Sequence, residues 1–210
     1  VGDSMQFAMD LIKTHRIKSL PVLKKGRLVG ILTDRDLKRA SASDATTLDI
    51  HELLYLIGRI KVKDIMTPNP ITIPQDFTVE EAAEILLQHN ISGAPVVDAM
   101  GKVVGIISQN DLFRALIALT GMGKRGIQVG CRIKDEPGSI RRLTDVVREH
   151  GGRLASILST YTDEPEGFRR VYLRMYGIRR SDVADILSEL KAQAELLYVV
   201  DHRDNQRTIY

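Results

Sequence analysis

The sequence predicts a mixed α/β protein, in which two copies of one small α/β unit are followed by a separate α+β unit. Three observations predict it. The stretch HRIKSLPVLKKGRLVGILTDRDLKRA at 15–40 is answered by HNISGAPVVDAMGKVVGIISQNDLFRA at 89–115. His15 and His89, Pro21 and Pro95, Gly30 and Gly105, Asp36 and Asp111, and Ala40 and Ala115 fall in register, with one extra residue in the second copy's turn. A tandem repeat means two similar units packed together, so a site in one copy is expected twice. Within each copy, apolar residues recur first at helical spacing and then in short strand-like runs. Beyond Gly121-Met122-Gly123 the order changes to βαββαβ.

Each repeat reads helix, strand, turn, strand, helix. In the first, Met5, Met9, Leu11 and Ile12 form an apolar helical stripe. Ser19–Leu23 is a short strand carrying Pro21, 24–27 is a Gly-containing turn, and Leu28–Leu32 is a buried strand. Thr33 opens the next helix. The second copy predicts a helix at Val79–Gln88, strands at Ala94–Asp98 and Val103–Ile107, and a helix from Ser108 to about Leu119. Before it, Ile71–Ile73 reads as a strand flanked by prolines. In the alignment Val1 falls on Gln75, so the counterpart of that strand would precede residue 1 and the first copy looks clipped. Between the copies a linker leads into a helix whose apolar side is Leu48, Leu53, Leu54 and Ile57.

In the third unit, Gly126–Ile133 alternates as a strand. KDEPGS is a turn, and Ile140, Leu143, Val146 and Val147 recur at helical spacing until Gly151-Gly152. Leu154–Thr162 and Arg170–Tyr176 are strands around the acidic turn DEPEG. Ser181 is placed to cap a helix running through Lys191, and Leu196–Val200 is the final strand. This is the split βαβ arrangement. The expected boundaries are 1–42 for the first repeat, 43–61 for the helical linker, 62–120 for the second repeat and 126–203 for the third unit.

Composition narrows the function. The 210 residues are 43% hydrophobic and 27% charged, ordinary for a globular protein. No apolar run approaches the roughly 18 residues of a membrane span. The N-terminus reads as an amphipathic helix rather than a secretory signal. One cysteine, Cys131, excludes an internal disulfide and fits a reducing, cytoplasmic setting. The net charge of +3 comes from scattered basic pairs, which argues against a nucleic-acid partner.

The repeated chemistry sits at GILTDRDL and GIISQNDL, where a hydroxyl residue precedes an Asp by three. Thr33 and Ser108 are good N-caps, and Asp36 and Asp111 can complete capping boxes. The same geometry suits a ligand. A helix start presents free N–H groups to a phosphate, a hydroxyl can donate to it, and a carboxylate can accept both hydroxyls of a ribose. The two roles are compatible, because a carboxylate has about four acceptor positions. Arg35 could add a phosphate contact in the first copy, where the second has Gln109 and Asn110.

No catalytic constellation assembles from the sequence. His15, His51, His89, His150 and His202 lack metal-ligand spacing, and His15 and His89 fit favourable helix ends. Cys131 lies in a strand pattern rather than at a helix start. The carboxylate pairs Glu80-Glu81 and Asp163-Glu164 fall on an exposed helix and in a turn, where solvation is the ordinary explanation. No metal site and no catalytic cofactor are expected, and the chain is read as a non-enzyme.

On these residues, paired Pro-Val strands with Gly-h-h-Ser/Thr-x-x-Asp junctions in tandem, 1–120 resembles a cystathionine-β-synthase (CBS) domain pair, or Bateman module. The resemblance implies two clefts between the copies that bind adenosine ligands as regulators: AMP, ADP, ATP, and in some members NAD or S-adenosylmethionine. It places the ribose on Asp36 and Asp111 and the phosphate on Thr33 and Ser108. It places adenine by Ile17, Ser19 and Pro21 in one copy and by Ile91, Ser92, Ala94 and Pro95 in the other, with Thr72 and Ile73 from the leading strand. The cleft that uses Thr72 is the favoured one.

The third unit resembles an ACT domain, on Asp135, Pro137 and Gly138 in the first β–α turn. That resemblance implies a ferredoxin-like fold, amino-acid binding by Asp135, Gly138 and Ser139, and pairing into a homodimer. The whole order is similar to the acetoin-utilisation protein B family, which implies a link to acetoin catabolism. Three further readings stay open: an amino-acid sensor with a structural CBS pair, a ligand-free dimerisation scaffold, and the regulatory part of a longer enzyme.

Overall fold

The computed structural model describes residues 1–43 and 59–210. The linker helix expected around Leu48, Leu53, Leu54 and Ile57 lies outside the described residues. The chain divides into two compact units, Val1–Leu112 and Phe113–Tyr210.

The first unit carries both repeats. Copy one runs α1 (Met5–His15), β1 (Ser19–Lys24), β2 (Arg27–Thr33) and α2 (Asp34–Ser43). Ser4 caps α1 by accepting from the N–H of Phe7, and left-handed Arg16 ends it. Lys25 and Gly26, both at positive φ, make the β1–β2 turn. A short helix α3 (Val62–Ile65) leads into β3 (Thr67–Pro68) and β4 (Ile73–Pro74). Copy two follows as α4 (Val79–Gln88), β5 (Gly93–Val97), β6 (Val103–Ser108) and α5 (Gln109–Leu119). Helix α4 starts in a full capping box, Thr78 with Glu81. The repeat pattern is thus realised nearly residue for residue.

The connector departs from expectation. The leading strand is Ile73–Pro74 rather than Ile71–Ile73, and it pairs parallel with β5 through Ile73–Val96 and Pro74–Val97. Ile71 is exposed and Ile73 buried, so the strand lies where its side chain reaches the core. An unexpected second strand, β3, pairs antiparallel with β2 of copy one through Gly30–Pro68 and Ile31–Thr67. The prolines at 68, 70 and 74 conceal both strands, since proline is at home only on sheet edges. The offset between copies is realised physically. The N–H of Gln75 donates to Val97 at 2.9 Å, and the amino group of Val1 donates to Leu23, the repeat equivalent of Val97, at 3.2 Å.

Each copy has its own core. Met5, Ala8, Val22, Leu32, Leu37 and Val62 pack in copy one. Ile73, Ala82, Leu86 and Ala94 pack in copy two.

The second unit takes in α5 from Phe113 onward and then β7 (Ile127–Lys134), α6 (Ser139–Glu149), β8 (Arg153–Thr160), β9 (Phe168–Tyr176), α7 (Val183–Gln193), β10 (Glu195–Asp201) and β11 (Gln206–Ile209). The sheet order is β11-β10-β7-β9-β8, with every pair antiparallel. The four expected strands therefore adopt the split βαβ order, and β11 adds a hairpin that the polar tail DHRDNQRTIY does not announce. Alternation along β7 sends Ile127, Val129, Cys131 and Ile133 into the core beneath α6 and α7. Burial pushes the Cys131 thiol up to about 12, so it is an inert core residue.

Two expectations are corrected here. Glu164, placed by its turn among solvated acids, has a fully buried side chain paired with Arg132 and Arg170. The Arg132 hydrogen bond holds its carboxyl below the usual range, against the opposing effect of burial. Ser181 does not cap α7 directly; it donates to Asp182, the residue that precedes the helix, at 2.7 Å.

Candidate functional site

Both junctions form as their residues require. A buried strand delivers Thr33 or Ser108 to the first turn of a helix, where backbone N–H groups have no intrahelical partner. In copy one, Asp36 Oδ2 accepts from the Thr33 N–H at 2.9 Å and from its hydroxyl at 2.6 Å. The Thr33 hydroxyl oxygen in turn accepts from the Asp36 N–H at 3.2 Å. In copy two, Asp111 Oδ2 accepts from the Ser108 N–H at 2.9 Å and from its hydroxyl at 2.5 Å. The two junctions superimpose in chemistry, but Asp36 is buried at 6% exposure and Asp111 is half-buried.

The short segment that precedes each hairpin is bonded to the same junction. The N–H of Asp34, first in α2, donates to Lys18 at 2.9 Å. Its repeat equivalent Gln109 donates to Ser92 at 3.0 Å, and its side chain to Ile91 at 3.4 Å. Ser19 pairs with Thr33 across the ladder, and Gly93 with Ser108. The fold therefore brings Ile17 and Ser19 beside Thr33 and Asp36, and Ile91 and Ser92 beside Ser108 and Asp111. Ile17 and Ser92 are exposed.

Other candidates are turned elsewhere. Ala94 and Ile73 are core residues, and Pro95 is buried. Only their backbones are available to a ligand in this arrangement. Pro21 lines a cavity of about 250 Å³ along the outer edge of β1, with Val1, Ala8, Leu20, Val22 and Val62. Thr72 is half-buried directly before β4, and Arg35 is exposed on the first turn of α2.

One residue escaped sequence reading. Arg39 donates to Asp36 Oδ1 at 2.9 Å, and Arg114 holds the equivalent position in copy two. The signal was present: an Arg follows each Asp by three, which is contact spacing on a helix.

In the second unit, Gly138 adopts a left-handed conformation and Ser139 begins α6. Arg169 ties this turn down. It lies 3.3 Å from Asp135 and donates to the buried Ser139 hydroxyl at 3.2 Å. Asp135, expected to orient an ammonium group, is thus already engaged by a cation of the chain itself, and the Ser139 N–H, expected to hold a carboxylate, donates to the Glu136 carbonyl at 3.1 Å. Among the described residues no group of His, Cys, Asp and Glu could hold a metal ion, and no helix is long and apolar enough to cross a membrane.

Comparison with known proteins follows the repeats. The model of the CBS domain matches 1–43 and 62–118. A CBS domain-containing protein of Dictyostelium discoideum is 35% identical over 115 residues, spanning 54% of this chain and 79% of that protein. The inosine-5'-monophosphate dehydrogenase of Korarchaeum cryptofilum is 35% identical over 111 residues, 53% of this chain but only 20% of the enzyme. A solved structure of CBSX2 in complex with AMP is 30% identical, covering 55% of this chain and 83% of that one at a TM-score of 0.45.

Proposed function

The chain belongs to the CBS-domain family, and from that premise we propose that it is a regulatory protein whose strand-to-helix junctions take an adenosine nucleotide. The observation that carries this reading is the shared hydrogen-bond system of each junction. The single hydroxyl proton of Thr33 goes to Asp36, and that of Ser108 to Asp111. A phosphate at the helix start offers the hydroxyl a second charged acceptor, and the positive end of the helix dipole favours an anion there. When the hydroxyl turns to phosphate, the carboxylate oxygen it leaves recovers an acceptor position for a ribose hydroxyl. Phosphate and ribose therefore assist each other, which favours AMP, ADP or ATP over S-adenosylmethionine, which has no phosphate.

Regulation requires the ligand to bind one arrangement of the protein better than another. We assign the second unit to the ACT family on its strand order, with homodimerisation through the edge of β8 as its role. The engagement of Asp135 by Arg169, and of the Ser139 N–H by the Glu136 carbonyl, disfavours an amino-acid site there.

Calorimetry and thermal unfolding of the full chain with adenosine, AMP, ATP, S-adenosylmethionine and a set of amino acids test the proposal. Nucleotide at 100 times its Kd should stabilise the protein by about 2.7 kcal/mol. Asp36→Ala and Asp111→Ala should each weaken binding. Stabilisation by amino acids alone, or by none of these compounds, overturns it.

A further inference from the structure

The two ends of helix α5 meet different chemistry. Ser108 and Asp111, the copy-two junction, stand at its start. The helix passes from the first compact unit to the second between Leu112 and Phe113. Its last turn meets the sheet of the second unit. The Thr120 carbonyl accepts from the Ser156 hydroxyl at 2.8 Å and from Arg174 Nε at 2.7 Å. Gly121 follows in the left-handed conformation that commonly ends a helix. A Cβ there would lie 2.7 Å from the Ala155 Cβ, so the chain leaving α5 is seated closely on β8.

Arg174 gives this seat its strength. It lies on β9 between the core residues Leu173 and Met175, and so on the face of the sheet away from α6 and α7. It is 4% exposed, and among the described residues no carboxylate pairs with it. Its Nη2 donates to Gln128 Oε1 at 2.7 Å, while Nη1 is buried without a partner. A buried cation without an anion is costly. Here the negative end of the α5 dipole, presented by the Thr120 carbonyl, takes the place of the anion. Were the last turn of α5 to leave, the guanidinium would lose the acceptor that offsets its burial.

We propose that α5 carries nucleotide occupancy at the copy-two junction to strands β8 and β9, with Ser156 and Arg174 as the clamp that makes the sheet respond. This rests on the adenosine reading above. Phosphate and ribose act on the first turn of the helix, and the clamp denies its last turn an independent response. Coupling of this kind is reciprocal, so the clamp also acts on nucleotide affinity. Helix α2, the counterpart in copy one, supplies no residue to the clamp. The two junctions therefore differ in what they control.

Hydrogen exchange of the full chain, followed on peptides from β8 and β9, tests this with and without saturating AMP. AMP should slow exchange there by about fivefold or more, the lower end of allosteric coupling. Asp111→Ala should abolish that protection and Asp36→Ala should retain it. Arg174→Lys and Ser156→Ala should shrink it while calorimetry still shows AMP bound. Ser156→Ala leaves the buried cation on its carbonyl, so it reports even if the arginine variant fails to fold. A merely structural role for the clamp raises exchange equally with and without AMP and leaves their ratio unchanged. That outcome, or AMP binding with no protection of β8 and β9, overturns the inference and leaves the adenosine reading standing. Absence of binding by every adenosine compound overturns the adenosine reading and this inference with it.

Discussion

The two repeats share a sequence pattern but are completed at opposite edges. Copy one is closed on the β2 side by β3, and copy two on the β5 side by β4. One connector supplies both strands, separated by four residues. The consequence is visible at the repeated glycine. A Cβ on Gly30 would lie 2.4 Å from Met66 Sδ and 3.0 Å from the Thr67 carbonyl, while a Cβ on Gly105 meets nothing within 4 Å. On the other side, the outer edge of β1 borders a cavity, whereas the outer edge of β5 is covered by Ile73. A repeated sequence sets hairpin, helix and cap twice. The connector, which is not repeated, decides which edge of each copy meets water.

The largest effect expected from this difference lies in the second hairpin strand. Leu32 is fully buried in the copy-one core, whereas its repeat equivalent Ile107 is half-buried at the margin of copy two. Leu32→Ala should cost about 2–5 kcal/mol, the range for a large side chain removed from a closed core. Ile107→Ala should cost clearly less, since part of its surface already faces water. Urea unfolding of the two variants, followed by a probe in the Val1–Leu112 unit, measures the ratio. Equal costs would mean that the two cores are closed to the same degree.

The glycines give the next largest effect. Gly30→Ala should destabilise by roughly 1–3 kcal/mol, because Met66 and the β3 backbone must move. Gly105→Ala should stay within about 0.5 kcal/mol, as for a surface change, with some gain from a stiffer unfolded chain. The same unfolding measurement reads both. If Gly105→Ala is as costly as Gly30→Ala, the edge of β6 is covered as β2 is.

Much of this was legible in the sequence, and for a physical reason. The elements read correctly are those whose signals are local: the helix at Val79–Gln88, the hydroxyl–Asp junctions, the Gly turns and the alternation of β7. The residues read poorly answer to partners far away in sequence. β3 is a strand only because β2 lies beside it, and nothing within Thr67–Pro68 encodes that. Glu164 lies in an acidic turn by composition, yet Arg132 and Arg170, on two different strands, bury it. Arg169 closes on Asp135 and Ser139 across 30 residues of chain or more. The candidate site falls between these cases. Its hydroxyl and carboxylate residues are local and were found. Its apolar wall was only partly readable, because Ile73 and Ala94 face the core rather than the junction.

The smallest effect probes the junctions themselves, where the copies are most alike. Asp36 accepts two donors from Thr33 and one from Arg39 while almost wholly buried. Asp36→Ala removes the acceptor for the Thr33 N–H and hydroxyl where little water can replace it. The expected cost is about 1–2 kcal/mol, the upper range for losing a cap. Asp111 accepts the same pair of bonds from Ser108 but is half-buried. Water can reach the groups it leaves, so Asp111→Ala should cost only about 0.5–1 kcal/mol. Thermal unfolding without ligand separates the two, and Asp36→Asn should recover part of the copy-one loss because its amide oxygen still accepts. If both alanine variants cost the same, burial does not distinguish the junctions, and any difference in nucleotide affinity between the copies must come from Arg35, Arg39 and their counterparts rather than from the carboxylates.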